Sequence, residues 1–236
     1  MLLLVAALLV GLCVFLGRDF ISGAKWASFY ANESIYTDGV LTAGTIYDRN
    51  GVALSYAQDG VRCYSDDEET RLATLHAVGD TAGNIGTGAL DRFAYLLTGY
   101  NIFTGTHTLG EKGNSLYLSI DSELNKTAYE ALAGRNGTVA VCNYETGEIL
   151  CMVSTPSFDP NGDGSDVTEG AYLNKFLSST YTPGSIFKIV TLTAAIENIP
   201  DLEDWTFTCE GSSEIGGDTI TCTEAHGTEN IEEALA

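Results

Sequence analysis

The chain has 236 residues with 32 Asp+Glu against 11 Lys+Arg, a net charge of −21. That length is enough for one or two domains with a buried core, and the shortage of clustered base excludes nucleic acid as a partner, because counterion release needs it. With 44% hydrophobic and 18% charged residues, 26 Gly and only 4 Pro, the composition excludes disordered, collagen-like and proline-rich chains and fits a turn-rich globular one.

Residues 1–17 (MLLLVAALLVGLCVFLG) carry no charge, and Arg18 and Asp19 are the first charged side chains. As a helix rising about 1.5 Å per residue, such a run sits at the short end of a bilayer span. It shows no polar face, which argues against a buried core helix. It also lacks a basic start and a clear small-residue cleavage site, which argues against a signal peptide. Trp26, Phe29 and Tyr30 follow where interfacial aromatics would stand. The expectation is a single uncleaved membrane anchor over residues 1–17, with a signal peptide as the alternative. A juxtamembrane linker over 18–39 would follow, with the acidic remainder on the extracytoplasmic side of the cell membrane. The missing basic flank points to a true start upstream of Met1.

Residues 42–56 alternate apolar and polar around Asn50-Gly51, a hairpin signal. Asp66-Asp67-Glu68-Glu69 reads as a solvated acidic loop or a helix start. Short apolar pieces and Gly-rich stretches fill residues 70–110, so residues 40–112 are expected to form a small α+β pedestal module. The character changes at Gly113. Residues 115–120 alternate as a strand, and Asp121 or Ser122 caps a helix through Leu132, with Gly134 and Gly137 as stop signals. Strands over 139–142 and 149–153 are joined at Thr146-Gly147, and a loop rich in Pro, Asp and Gly covers 154–170. An amphipathic helix over 185–198 is entered through Pro183-Gly184 and ends before Pro200. Another helix starts near Glu229. This order suits an α+β domain with an antiparallel sheet flanked by helices.

Cys209 and Cys222 are a candidate disulfide in an oxidising compartment, with free thiols as the alternative. Cys142 and Cys151 flank a turn; a two-residue turn would place them opposite each other and a longer loop would offset them. Cys13 and Cys63 are left without partners. No CxxC pair and no Cys/His cluster at metal spacing is evident, so no metal is expected. His226, in Ala225-His226-Gly227, reads as a structural hydrogen-bonding residue, and His76 and His107 show no partner pattern. Asp159, Asp163 and Asp166 lack the ordering of a calcium loop and read as a solvated loop.

Tyr181-Thr182-Pro183-Gly184-Ser185-Ile186-Phe187-Lys188 is the sharpest local feature. Pro183 and Gly184 make a tight turn, and Ser185 falls on the first helical turn with Lys188 on the same face. The partial positive charge of a helix N-terminus favours an alkoxide and the oxyanion that follows its attack. A lysine packed among Phe187, Ile189 and Leu192 can lose its proton by desolvation and serve as a base. The bland alternative is an N-cap serine with a solvated lysine. Ser22 and Lys25 repeat the spacing without the Pro-Gly turn or a preceding sheet and read as a chance match. Phe187 reads as core.

On several ordered segments the chain resembles the class B penicillin-binding proteins, membrane-anchored D,D-transpeptidases of bacterial cell-wall synthesis. Gly44-Thr45-Ile46-Tyr47-Asp48-Arg49-Asn50-Gly51 looks like the family's opening hairpin, and residues 118–124 like the start of its catalytic domain. Residues 137–156, with Thr146-Gly147-Glu148-Ile149-Leu150 and Met152, are similar to its first sheet hairpin. Asn174-Lys175-Phe176 and then residues 181–188 resemble the approach to its nucleophile, and the stretch with Cys209, Gly216-Gly217, Cys222 and Ala225-His226-Gly227 resembles what lies beyond it. The resemblance implies Ser185 as the nucleophile that attacks the carbonyl between two D-alanines of a peptidoglycan stem peptide, and Lys188 as its general base. It also implies β-lactams as acylating ligands, no cofactor, and cell-wall synthesis proteins as partners through residues 40–112. The family's Ser-x-Asn and Lys-Thr/Ser-Gly motifs do not occur; Lys126-Thr127-Ala128 comes nearest to the second. Residues 113–236 are therefore expected to be a truncated transpeptidase domain, inactive by itself. A non-catalytic scaffold and a β-lactam sensor are the alternatives.

Overall fold

In the computed structural model, which describes residues 1–106 and 113–235, the uncharged run opens a helix, α1 (Leu2–Ala27), that passes well beyond Gly17. The stretch Leu3–Ala27 contains an 18-residue window with a mean hydropathy of 2.2 and is long and apolar enough to cross a membrane. At 26 residues α1 is about 39 Å long, against about 30 Å of hydrocarbon. The first half of the expected linker is thus helix. Its last turns lie on residues 94–100: Tyr100 donates to Asp19 at 2.9 Å, and the Lys25 ammonium stands 5.5 Å over the Tyr95 ring. That contact gives Lys25 a packing partner on α1's own unit.

Contacts divide the chain into two units, Met1–Thr180 and Tyr181–Ala236. In the first, a small ribbon of β1 (Tyr36–Thr37) and β2 (Val40–Leu41) leads into β3 (Thr45–Tyr47), β4 (Ala53–Gln58) and β5 (Val61–Tyr64). The β3–β4 turn at Asn50-Gly51 forms as expected, with Gly51 at φ +84°. Asp67 caps α2 (Glu68–Val78) by accepting from the Thr70 amide, so the acidic run is a helix start. Two short helices, α3 (Ala89–Arg92) and α4 (Ala94–Leu97), precede β6 (Ser115–Tyr117).

The main sheet runs β5-β4-β3-β6, and β6 lies parallel to β3, pairing Ile46 with Leu116 and stacking Tyr47 on Tyr117 at 5.0 Å. This sheet is therefore mixed, two antiparallel pairings and one parallel, and through β6 it crosses the division expected between residues 112 and 113. Gly113 permits this. Its φ is +87°, and a Cβ there would overlap the backbone of Gly44 and Leu97, so only glycine lets the chain enter beside β3. His107 and the close of the expected 40–112 module lie outside the described residues.

Beyond β6, Asp121 caps α5 (Ser122–Leu132) through the amides of Glu123 and Leu124. The chain reverses at Ala133 and Gly134, both in the left-handed region, into the antiparallel hairpin of β7 (Gly137–Cys142) and β8 (Ile149–Thr155). The loop over 143–148 is longer than a two-residue turn, and Cys142 pairs with Ile149 while Cys151 pairs with Val141. Cys142 is exposed and Cys151 buried, both as free thiols. After a long loop comes α6 (Lys175–Ser178).

The core of this unit gathers Ile35, Ile46, Leu54, Val78, Leu97 and Ile120 from the sheet, its helices and the links between them. Asp48, fully buried, joins the β3–β4 turn to α5. One carboxyl oxygen accepts from the amides of Asn50 and Val52, both at 2.8 Å; the other accepts from the Ser122 amide at 3.1 Å and its hydroxyl at 2.7 Å. Arg62 is also buried and donates to the carbonyls of Leu41, Ala43 and Gly44. Arg71 grips Asp159 through two hydrogen bonds, 2.8 and 2.6 Å, so Asp159 ties the long loop to α2 instead of standing in solvent.

His76, on α2, is 2% exposed, with Nε2 2.8 Å from the Ala171 carbonyl, which makes Nε2–H the donor. Burial holds its pKa below 6.5. The folded state thus binds this proton less readily than the unfolded chain. Stability from His76 is complete above pH 6.5 and is lost as the pH falls through the depressed folded value. In thermal melts, the wild type is expected to lose more stability than His76→Gln on acidification from neutral pH to about 5; parallel losses would contradict this.

Candidate active site

In the second unit, Pro183 (φ −66°, ψ −26°) and Gly184 (φ +56°) turn the chain into a 3-10 turn over Gly184–Phe187, which runs straight into α7 (Lys188–Asn198). Ser185 therefore stands in the turn that opens the helix, next to a left-handed glycine, and Lys188 begins the α-helix proper a single turn later. The expected amphipathic helix over 185–198 is there, with a tighter first turn than anticipated. No acidic residue occupies the first turn of α7, so the positive end of its dipole is not neutralised by its own sequence.

Both side chains are exposed, and neither makes a side-chain hydrogen bond or ion pair among the described residues. This corrects the sequence reading, which packed Lys188 among Phe187, Ile189 and Leu192 and placed Phe187 in a core. Phe187 is 53% exposed and Ile189 66%, and no residue of 181–235 is buried. The physical reason is that α7 has apolar side chains on more than one face, with nothing among the described residues of its unit packed over most of them. A cavity of about 820 Å³ opens along one side of the helix. Phe187, Lys188, Leu192, Trp205, Ile231 and Leu235 contribute to its wall, and Ser185 does not. The arrangement holds a hydroxyl and an amine on one helical turn, over the helix N-terminus and beside an apolar hollow.

After α7 the unit has two small antiparallel sheets. One pairs β9 (Thr206–Cys209) with β12 (Gly227–Asn230); between them in sequence lies the hairpin of β10 (Ser212–Ile215) and β11 (Asp218–Thr221). A last short helix, α8 (Ile231–Leu235), follows. Cys209 and Cys222 are free thiols here, not a disulfide. Pairing of Cys209 with Gly227 puts His226 beside them, and its Nδ1 stands 3.6 Å from the Cys209 sulfur and 3.5 Å from the Cys222 sulfur. Hydrogen bonds from the His226 backbone and ring draw the Cys209 thiol down to about 7 and hold the imidazole above its usual value. This Cys/Cys/His cluster corrects the expectation that no such group exists. The signal that could have found it is the spacing Cys222-x-x-x-His226; what hid it is that Cys209 arrives only through strand pairing.

Comparison with known proteins places the site in context. Residues 137–236 match the family described as the penicillin binding protein transpeptidase domain. Among curated relatives, the peptidoglycan D,D-transpeptidase MrdA of Acinetobacter baumannii is 38% identical over 88 residues, 33% of this chain and 13% of that protein. Penicillin-binding protein PbpB of Mycolicibacterium smegmatis is 33% identical over 122 residues, 49% of this chain and 19% of that protein. Among solved structures, the D,D-transpeptidase domain of a peptidoglycan glycosyltransferase from Eggerthella lenta superposes with a TM-score of 0.63 at 30% identity. It covers 81% of this chain and 46% of that one. The chain thus spans less than a fifth of these two curated relatives' length and under half of that structure.

Proposed function

We propose, from the match of residues 137–236 to the penicillin binding protein transpeptidase domain family, that the chain carries the nucleophile and base of a serine-type peptidoglycan D,D-transpeptidase. The observation that carries the proposal is the placement of Ser185 and Lys188 on the opening turn of α7, within the matched residues. Ser185 Oγ attacks the carbonyl carbon between the last two D-alanines of a stem peptide while Lys188 Nζ takes the hydroxyl proton. The Ser185 amide supplies one donor to the resulting oxyanion. Collapse expels the terminal D-alanine, whose amine receives that proton, and leaves an acyl-enzyme. The amine of a neighbouring stem then attacks the ester, forms the cross-link and releases the serine. A β-lactam enters the same first step, its ring amide standing in for the peptide bond, and leaves a stable ester.

In this reading α1 anchors the protein in the cell membrane, with the acidic units outside it, near the wall substrate. The sheet and helices of residues 40–112 serve as a pedestal that meets other proteins of wall synthesis. Fluorescent penicillin added to membranes holding the native protein tests the central step. A covalent label that an unlabelled β-lactam blocks is the expected result. A protein that takes no label contradicts acyl transfer and favours a scaffold.

A further inference from the structure

Residues 93–110 (FAYLLTGYNIFTGTHTLG) contain no Asp, Glu, Lys or Arg, in a chain that holds 32 acids and 11 bases. The described part of this stretch lies along the last turns of α1. The Tyr100 hydroxyl donates to Asp19, and its ring covers Gly23 one turn on, where an added Cβ would stand 2.5 Å from it. Gly23 is what lets the two segments meet so closely. Beyond Tyr100 the chain makes a tight, well-fastened turn. The Asn101 amide donates to the Gly105 carbonyl at 2.6 Å, and the Gly105 amide returns to the Asn101 carbonyl at 2.8 Å. The Asn101 side chain accepts from the Phe103 amide at 2.8 Å, and the hydroxyls of Thr106 and Ser34 meet at 3.0 Å below the turn. Ile102 and Phe103 form the tip, and Phe103 is 92% exposed.

A single exposed phenylalanine needs no explanation by itself; its position supplies one. Arg18 and Asp19 end the uncharged run of α1, so Asp19 marks where that helix leaves the hydrocarbon, and Tyr100 is bonded to it. The Phe103 Cα, three residues on, lies at most about 10 Å from that of Tyr100. That reach is comparable with the headgroup layer, roughly 5–7 Å on each side of the hydrocarbon. Resting on the reading of α1 as a membrane anchor, we propose that the Asn101–Gly105 turn is a second membrane contact, with Phe103 and Ile102 seated in the lipid interface beside α1. Continuity favours the bilayer as the occupant, because the stretch that carries the turn is bonded to the helix that spans it. An uncharged stretch enters the interface without stripping water from a charge, and it does not depend on anionic headgroups, which a chain of net charge −21 would repel. A lone helix leaves the first unit free to swivel about the α1 axis, whereas a second contact fixes which side of that unit faces the membrane.

The test uses the full chain, reconstituted in phosphatidylcholine vesicles, in a background of Trp26→Phe and Trp205→Phe that leaves no other tryptophan. Leu9→Trp reports the helix and Phe103→Trp the turn, each with circular dichroism matching that of wild type. Leu9→Trp should be quenched most by lipid brominated deep in its acyl chains, and Phe103→Trp most by lipid brominated close to the headgroup. Water-borne acrylamide should quench Phe103→Trp several-fold less than Tyr144→Trp, although both positions are 92% exposed in the protein. Adding Ile102→Asp to Phe103→Trp should remove that protection. A Phe103→Trp variant untouched by either brominated lipid and as open to acrylamide as Tyr144→Trp, beside a quenched Leu9→Trp, would overturn the inference and favour a protein partner for the turn, with the anchor intact. An unquenched Leu9→Trp would overturn the anchor itself, and the inference with it.

Discussion

Replacing Ser185 by alanine is expected to abolish penicillin labelling, and replacing Lys188 by alanine to slow it by about 10²–10⁴-fold, the usual contribution of a positioned base. The two effects differ in kind. Without Ser185 no oxygen remains to form the ester, so longer incubation restores nothing. Without Lys188 the hydroxyl and the helix N-terminus remain, and water can take the proton slowly. Lys188→Arg sharpens the distinction between base and mere cation. Arginine keeps the charge and length but stays protonated, so it should be no better than alanine. Labelling rates measured as a time course on native membranes read all three variants. An arginine variant close to wild type would show that position 188 acts through its charge alone.

Asp48→Ala is the substitution with the largest expected effect on stability. It removes the acceptor for three amides and a hydroxyl at a fully buried point. At about 1 kcal/mol or more for each donor left unpaired, the loss is about 3–5 kcal/mol. For a unit of this size that corresponds to a melting temperature lower by about 10 °C. Asp48→Asn keeps one acceptor oxygen for the Asn50 and Val52 amides but turns an NH₂ toward the Ser122 amide. Its expected cost is about 1–3 kcal/mol. Thermal unfolding followed by circular dichroism checks both; an alanine variant that melts with the wild type would contradict the role given to Asp48 as the joint between the β3–β4 turn and α5.

Local chemistry made much of this structure legible in the sequence. Asn50-Gly51 marks its turn because both residues tolerate the required backbone, Asp121 marks the start of α5 because its carboxylate reaches two free amides, and Pro183-Gly184 marks the approach to Ser185. What stayed hidden depends on residues far apart in the chain. Parallel pairing of β6 with β3 joins Ser115 to Thr45 across a long stretch, and nothing in the alternation of 115–120 distinguishes a parallel partner from an antiparallel one. Asp48 reads as an ordinary turn residue until Ser122 is beside it. Cys209 comes to His226 only through the β9–β12 pairing. The exposure of Lys188 was hidden for a different reason. Apolar neighbours in sequence suggest burial, but burial needs a covering element, and none covers Lys188 among the described residues.

Mapping the penicillin adduct tests the central assignment most directly. Trypsin cutting after Lys175 and Lys188 releases residues 176–188, a peptide that holds Ser178, Ser179 and Ser185 as well as other hydroxyl side chains, so its mass alone is not enough. Fragmentation of that peptide from native protein treated with penicillin should place the added mass on Ser185. An adduct on Ser178, Ser179 or any residue outside 176–188 would contradict the account.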